Sequence, residues 1–128
     1  MNVCATGVHH ITLRVSNMER SRAFFQEVLG FAVERPEPHR YRFWVGDTRI
    51  VLKPPLEGTP SDDQFSEYRV GPDHIALAVE DRGELEKAVE TLREAGVNTQ
   101  GIQLEPSLGK EFVCFRDPDN VQWEFFTK

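Results

Sequence analysis

The sequence predicts an α+β fold made of two similar halves, each containing a strand, a helix and three further strands. First, a strand-like motif occurs twice: HHITLRV at residues 9–15 and DHIALAV at residues 73–79 share four residues at one fixed offset. Second, each motif is followed by a polar helix-start signal, an apolar stripe at helical spacing and a glycine. Third, each half closes with strand-forming segments joined by turn residues. A repeat on this scale indicates that the chain duplicates one unit.

The elements of each half follow from ordinary start and stop signals. Each helix begins at a polar capping residue and ends at a glycine in the C′ position. The predicted bounds are Ser16 or Asn17 with Gly30, and Glu80 or Asp81 with Gly96. The predicted strands are 9–15, 31–33, 41–45 and 48–53 in the first half, and 73–79, 102–104, 112–115 and 121–126 in the second. The segment Arg35–Pro38 is expected to break the short strand that starts at Phe31, because proline cannot donate to a strand ladder.

A stretch rich in turn residues, Pro54 to Pro72, is predicted to connect the halves. We expect a turn of helix around residues 64–68, and a lid over a site is the alternative to a plain connection. The expected organisation is one domain over residues 1–128, with modules at 8–53 and 72–127 and a linker at 54–71.

Composition excludes several classes of protein. The formal net charge of −6 and the lack of a Lys/Arg cluster argue against nucleic-acid binding. No apolar run approaches the roughly 18–20 residues that cross a bilayer, so no membrane partner is expected. Residues 1–7 lack the features of a secretory signal, and Cys4 and Cys114 form neither a CxxC motif nor a disulfide framework. These observations predict a reduced, cytoplasmic protein.

Alternation along the strands separates an apolar face from a second face that carries polar residues. His10 and His74 occupy the same place on the second face of the repeated strands. In the closing strand Glu124 lies on that face too, and aligning the two hairpins puts it at the position of Val51. Two imidazoles and a carboxylate on rigid strands are typical ligands of a divalent metal that keeps positions free for substrate, water or dioxygen. From spacing alone, a structural His–Glu pair or a solvated glutamate remains the alternative.

Four segments give the chain a resemblance to the vicinal oxygen chelate superfamily. They are HHITLRV at 9–15, FF at 24–25 with VLGF at 28–31, DHIAL at 73–77, and DPDN at 117–120 leading to WEF at 123–125. This superfamily includes glyoxalase I, extradiol ring-cleaving dioxygenases, fosfomycin-resistance proteins, methylmalonyl-CoA epimerase and bleomycin-resistance proteins. The resemblance covers nearly the whole chain.

The resemblance implies two βαβββ modules whose curled mixed sheets surround a metal-binding cavity, with the helices outside. The metal ligands that it implies are His10, His74 and Glu124. His9 competes with His10, but alternation puts His9 on the apolar face. Members of glyoxalase and epimerase type take a fourth ligand from the position of Val51, and valine cannot bind a metal. The set is therefore similar to the two-histidine, one-carboxylate sites of the extradiol dioxygenases and fosfomycin-modifying transferases. Fe(II) or Mn(II) is the expected cofactor, with Zn(II) or Ni(II) as alternatives.

Three functions are consistent with this likeness. The first is a metal-dependent enzyme of extradiol-dioxygenase type that chelates a small, oxygen-rich substrate. The second is a lyase of glyoxalase type or a transferase of fosfomycin-resistance type, because Thr12 beside His10 matches a threonine of the fosfomycin group. The third is a metal-free binding protein of bleomycin-resistance type, although such a protein has no reason to keep two histidines and a glutamate in register.

The face that carries the ligands is expected to contact the substrate. Its predicted contact residues are Thr12, Arg14, Trp44, Arg49, Val51, Lys53 and Gln122. No acid–base residue stands out, and Thr12, Tyr41 and Lys53 are the candidates. For Tyr41, a place in the core or at the rim is the favoured interpretation. A homodimer is expected, and its modules pair either within one chain or by exchange between two chains.

Overall fold

The computed structural model describes all of residues 1–128 and contains two four-stranded sheets and two helices. The first half comprises β1 (His10–Arg14), α1 (Met18–Ala23) continued by a π-helical turn (Phe24–Val28), β2 (Val33–Glu37), β3 (Arg40–Val45) and β4 (Thr48–Lys53). The second half comprises β5 (His74–Val79), α2 (Arg82–Glu94), β6 (Ile102–Glu105), β7 (Lys110–Arg116) and β8 (Gln122–Thr127). Neither helix has the length and apolar character of a membrane span.

Both sheets have the same strand order, which confirms the duplicated α+β fold. In the first sheet β1 pairs in parallel with β4, and β3 and β2 follow in antiparallel pairs. The second sheet repeats this as β5, β8, β7 and β6. The registers also correspond, because Thr12 pairs with Val51 and its repeat partner Ala76 pairs with Glu124. Val51 and Glu124 therefore occupy equivalent positions in the two modules.

The prediction for β2 was wrong in its bounds. The strand covers Val33–Glu37 rather than 31–33 and runs through the segment that was expected to break it. Its register with β3 shifts within the strand, and Arg35 there has a positive φ of 29°. β2 lies at the edge of its sheet, where Pro36 is tolerated because an edge strand needs ladder hydrogen bonds on one side only. Proline has no N–H to donate, and the shift in register leaves it out of the hydrogen-bonded ladder between β2 and β3.

The first helix starts at a predicted cap and ends at the predicted glycine. The Asn17 side chain accepts a hydrogen bond from the Arg20 N–H at 2.9 Å. The helix then widens into the π-helical turn at Phe24–Val28, and both phenylalanines of that turn are buried. Gly30 follows with a φ of 79°, in the left-handed region that favours glycine.

One hydrophobic core joins the two halves. The ring of Phe24 lies 6.1 Å from that of Phe115, and the ring of Phe25 lies 5.2 Å from that of Trp123, measured between centroids. The segment that follows α1 therefore packs against the second sheet as well as its own. Since the apolar strand faces point into this shared core, the opposite faces, which carry the repeated histidines, point away from it.

The linker is docked on the second half. The Phe65 N–H donates to the Asp119 carbonyl at 2.9 Å, and the Asn120 side chain donates to the Phe65 carbonyl at 3.1 Å. The helical turn predicted at 64–68 is absent, since none of these residues is helical. Instead of a helical turn, hydrogen bonds with the β7–β8 turn satisfy the backbone N–H and carbonyl of Phe65.

Candidate functional site

His74 and Glu124 lie side by side on the face of the second sheet that points away from the core. His74 starts β5, and Glu124 sits two residues into the parallel strand β8, opposite Ala76. The Nε2 atom of His74 is 3.6 Å from Oε2 of Glu124. Ligand atoms held by one ion at about 2.0–2.2 Å lie roughly 3–3.5 Å apart, so this spacing is close to that of two ligands of one ion.

Neighbouring side chains orient both groups. The Nδ1 atom of His74 is 2.6 Å from a carboxylate oxygen of Asp73, which accepts the Nδ1–H and leaves the Nε2 lone pair free. The side-chain amide of Gln122 donates to Oε1 of Glu124 at 3.2 Å. The remaining oxygen, Oε2, is the one nearest to His74. The free nitrogen and the free oxygen therefore converge on the same point.

The surroundings of Glu124 suit a bound cation. The residue is only 8% exposed, and its carboxylate meets a neutral amide and an imidazole but no lysine or arginine within ion-pair distance. A buried carboxylate is expensive unless a positive charge or a metal offsets it. Imidazole and carboxylate together suit Fe(II), Mn(II), Zn(II) or Ni(II). On this observation the pair formed by His74 and Glu124 fits a divalent metal ion.

His10 lies on the corresponding face of the first sheet. It pairs with Arg49 in the β1–β4 register, and its Nδ1 is 2.9 Å from Nδ1 of His9, so one ring donates and the other accepts. The guanidinium of Arg49 stacks over the ring of Trp44, 4.6 Å from the centroid, and Trp44 is 48% exposed. His10 itself is exposed. This face presents an imidazole, a cation and an aromatic surface together.

Two polar atoms on this face lack partners. Oε2 of Glu34 and Nε of Arg49 are buried without a hydrogen bond, although the two side chains meet through other atoms at 3.4 Å. Unpaired buried polar atoms are rare in folded proteins. The contact between Arg49 and Glu34 beside His10 therefore leaves one polar atom of each side chain without a partner.

The three predicted ligands do not meet within one chain. No three side chains of the His, Cys, Asp and Glu types lie close enough together to hold a metal ion. His74 and Glu124 form one partial site, and His10 lies on the other sheet. Because both sheets contribute their apolar faces to one core, their polar faces are directed away from that core.

The other predicted residues do not all lie on the face that carries His10. Arg14 and Lys53 pair in register on the same face as His10, and the Arg14 guanidinium donates to the Pro54 carbonyl at 3.0 Å. Tyr41 belongs to the opposite face, where it packs on the core and its hydroxyl donates to Glu19 of α1. This bond raises the pKa of the Tyr41 hydroxyl above its usual value. Tyr41 therefore lies on the face of the sheet opposite to the one that carries His10.

A cavity of about 420 Å³ lies between the end of β1, the linker and the start of β5. Thr12 and Arg14 line it from β1, Arg69 from the linker, and Asp73 and His74 from the second module. Pockets for small ligands usually measure about 300–1,000 Å³. A space of ligand size therefore adjoins the ring of His74.

Two residues that were not predicted from the sequence, Arg116 and Glu67, contact the site indirectly. Arg116 pairs with Gln122 across β7 and β8, and it holds Glu67 of the linker through two bonds of 2.8 and 3.0 Å. Its guanidinium lowers the pKa of Glu67 to about 2. Glu67 thus stays ionised at neutral pH, and the stabilisation from this pair is lost as the pH falls from about 4 towards 2. Cys114 pairs with Glu124, and Arg116 lies two residues farther along β7 on the same face, so strand alternation would have located Arg116. No local signal in the sequence marks Glu67.

The fold and this pair of ligands define a duplicated α+β protein with a candidate metal centre, and comparison with known proteins identifies its family. The family model described as the Glyoxalase/Bleomycin resistance protein/Dioxygenase superfamily matches residues 7–125. The chain belongs to this superfamily, which confirms the resemblance seen in the sequence motifs.

Individual relatives support the same assignment. The chain is 33% identical to "Uncharacterized protein YwkD" of Bacillus subtilis (strain 168), covering 93% of this chain and 94% of that protein. It is 29% identical to "Metallothiol transferase FosB" of Shouchella clausii (strain KSM-K16), covering 94% and 80% respectively. A solved glyoxylase/bleomycin resistance protein/dioxygenase domain from Frankia sp. EAN1pec superimposes with a TM-score of 0.82 at 27% identity, covering 97% of this chain and 98% of that one.

Proposed function

We propose that this protein is a metal-dependent enzyme that chelates a small, oxygen-rich substrate on a divalent ion held by His10, His74 and Glu124. The observation that carries the proposal is the convergence of the His74 nitrogen and a buried Glu124 oxygen, each oriented by a neighbouring side chain. A bound ion of this kind would polarise the oxygens of a chelated substrate, and iron or manganese would also bring dioxygen within reach.

We further propose that the complete site forms between two copies of the chain. His10 of one copy would join His74 and Glu124 of the other, since one chain does not bring the three together. The exposed ring of Trp44, stacked with Arg49 beside His10, supports a partner on that face. In this proposal the single domain keeps its modules at 8–53 and 72–127 and its linker at 54–71. A twofold homodimer of this kind has two equal sites, and the free thiols of the chain are in keeping with a cytoplasmic location.

Mixing two inactive variants tests the shared site. His10→Ala and Glu124→Ala should each abolish high-affinity metal binding. A mixed dimer has one site with both substitutions and one site with neither. After unfolding and refolding equal amounts together, random assortment should restore about a quarter of the sites. Restoration is measured by Co²⁺ titration, with each variant refolded alone as the control. If mixing restores nothing while a dimer is present by light scattering, each site lies within one chain.

The surroundings indicate the class of substrate. Arg14 and Lys53 are neighbouring cations without carboxylate partners, which favours an anionic group on the ligand. On the second sheet, Ala76 leaves open space beside Glu124 on the ligand-bearing face, and the stacked rings of Phe112 and Phe126 lie farther along that face. A small molecule with adjacent oxygens, a negative charge and a planar apolar part would match these features.

Ring cleavage of extradiol-dioxygenase type is the first candidate reaction. The set lacks a fourth protein ligand, because Val51 occupies the position equivalent to Glu124, so positions stay free for two substrate oxygens and dioxygen. For protein reconstituted with Fe(II) without air, we expect oxygen uptake matched one to one by loss of catechol. A charged catechol carboxylate should react faster than catechol itself. No uptake across a panel of catechols, with iron bound, would rule this reaction out.

Thiol transfer is the second candidate, and the similarity to a metallothiol transferase favours it. Thr12 lies two residues from His10 on the same face, and Arg14 and Lys53 would neutralise a phosphonate or carboxylate. Expression in a fosfomycin-sensitive host should then raise its resistance, and Lys53→Met should reduce this effect. Unchanged sensitivity with soluble protein would leave a lyase of glyoxalase type, for which Zn(II) or Ni(II) is the expected metal. Failure of the protein to bind any metal would instead favour a ligand-binding protein of bleomycin-resistance type.

A further inference from the structure

A continuous set of hydrogen bonds runs from the linker to the buried Glu124. Glu67 of the linker holds the Arg116 guanidinium through both carboxylate oxygens, at 2.8 and 3.0 Å. Arg116 donates through Nη2 to Oε1 of the Gln122 side chain at 3.3 Å. The Gln122 amide nitrogen then donates to Oε1 of Glu124 at 3.2 Å. Each member thus contacts the next, and Arg116 does not touch Glu124 itself.

The chemistry of the two ends permits only one orientation of the Gln122 amide. A guanidinium can only donate hydrogen bonds, so the amide oxygen must face Arg116. An ionised carboxylate can only accept, so the amide nitrogen must face Glu124. Without Arg116, the Gln122 amide would be held at one end only, and the side chain would be free to swing away from Glu124. That movement would release Oε1 of Glu124 from its partner.

The position of Arg116 is itself fixed on several sides. Besides Glu67 and Gln122, its guanidinium donates to the carbonyl of Asn120 at 3.0 Å. Bidentate pairing with a carboxylate is the strongest and most directional contact that arginine makes. The linker would remain attached without this pair, because its backbone at Phe65 is bonded to Asp119 and Asn120. The ion pair is therefore not the sole attachment of the linker to the second module.

From these contacts we propose that Arg116, held by Glu67, is a positioning residue for the metal ligand Glu124 and acts through Gln122. Arg116 sets the Gln122 amide, the amide occupies Oε1, and Oε2 is left as a single ligand atom facing His74. The conformation of the linker is thereby coupled to the geometry of the ligand. This inference rests on the proposed metal site, but the arrangement of the amide exists before any metal binds.

A double-mutant cycle on metal affinity tests the inference. Outer-shell partners of metal ligands typically contribute about 10–100-fold in affinity, so Gln122→Met should weaken Co²⁺ binding by roughly that factor. Arg116→Met should weaken it about tenfold. Because Arg116 acts through Gln122, the double variant should bind no more weakly than Gln122→Met alone. Glu111→Gln is the control, since it breaks a comparable ion pair, with Arg82, away from these contacts, and its Co²⁺ affinity should stay unchanged.

A second measurement needs no metal. In the metal-free wild-type protein, the two side-chain amide protons of Gln122 should have well-separated NMR shifts, with resonances assigned by their loss in Gln122→Met. In Arg116→Met those shifts should move towards the values of a free glutamine, and Glu67→Gln should move them part of the way. Glu111→Gln should leave them in place.

The outcomes separate this inference from the proposed function. If wild-type protein binds no Co²⁺, the metal site fails, and the NMR measurement still decides whether Arg116 orients the amide. If wild-type protein binds Co²⁺ and the losses from Arg116→Met and Gln122→Met add up, Arg116 acts by another route and the inference is overturned. Unchanged affinity and unchanged amide shifts in Arg116→Met overturn it as well.

Discussion

Glu124→Gln is expected to lower the affinity for Co²⁺ by more than about a hundredfold, beyond the effect typical of outer-shell partners. The substitution keeps the size of the side chain but removes the negative charge that offsets the metal. Its amide is able to donate to the free Nε2 of His74, so the local fold should persist. His74→Ala should have a similarly large effect, because it removes the other half of the pair that lies 3.6 Å away.

The experiment compares Co²⁺ titrations of the wild-type protein and variants with elemental analysis of protein purified without a metal-affinity tag. About one equivalent of metal per chain is expected for the wild type, since each chain contributes one copy of each ligand. Unchanged thermal midpoints of the metal-free proteins would exclude misfolding as the cause. Affinity of Glu124→Gln within about threefold of the wild type would mean that the metal binds elsewhere, and the proposed ligand set would be wrong.

Asp117→Ala is expected to destabilise the fold by about 3 kcal/mol, the largest effect predicted for a residue outside the site. The Asp117 carboxylate accepts from the indole N–H of Trp123 at 2.9 Å and from the backbone N–H groups of Asp119 and Val121 at 2.9 and 3.0 Å. Trp123 is fully buried, so its N–H would lose its partner without gaining water. Burial raises the pKa of Asp117, yet three donors hold the carboxylate in place.

Urea denaturation at a fixed protein concentration measures this effect, because dimer formation would make stability depend on concentration. Asp117→Asn should be almost as damaging, since its amide nitrogen would meet another donor. Asp63→Ala is the matched control, as that exposed side chain makes no hydrogen bond or ion pair, and its stability should remain within about 0.5 kcal/mol of the wild type. In Trp123→Phe, which removes the indole donor, Asp117→Ala should lose part of its effect. A loss below about 1 kcal/mol in the wild-type background would show that this turn contributes little.

Features that depend on local geometry were predictable from the sequence. The repeat at residues 10 and 74, the caps at Asn17 and Asp81 and the closing hairpins all appear in the structure. Each follows from capping chemistry or from the alternation of side chains along a strand, which needs no knowledge of distant residues. The same alternation places Tyr41 on the face of buried Phe43, so its distance from the ligands was also available in the sequence.

Other features depend on packing between distant segments. The bulge that carries Pro36 through β2 is tolerated only because that strand lies at a sheet edge. The contact between Glu67 and Arg116 joins residues 49 positions apart, and neither residue type signals the other.

The sequence by itself determined the duplicated α+β fold and the candidate ligands on each polar face, because strand alternation and helix signals act over a few residues. Only the tertiary structure decided which ligands meet. The pairing of β5 with β8 places His74 and Glu124 together, and the packing of both modules on one shared core leaves His10 apart from them. The physical reason is that burial of apolar surface depends on the whole of both faces, so the way in which the modules dock is not encoded in either repeat alone.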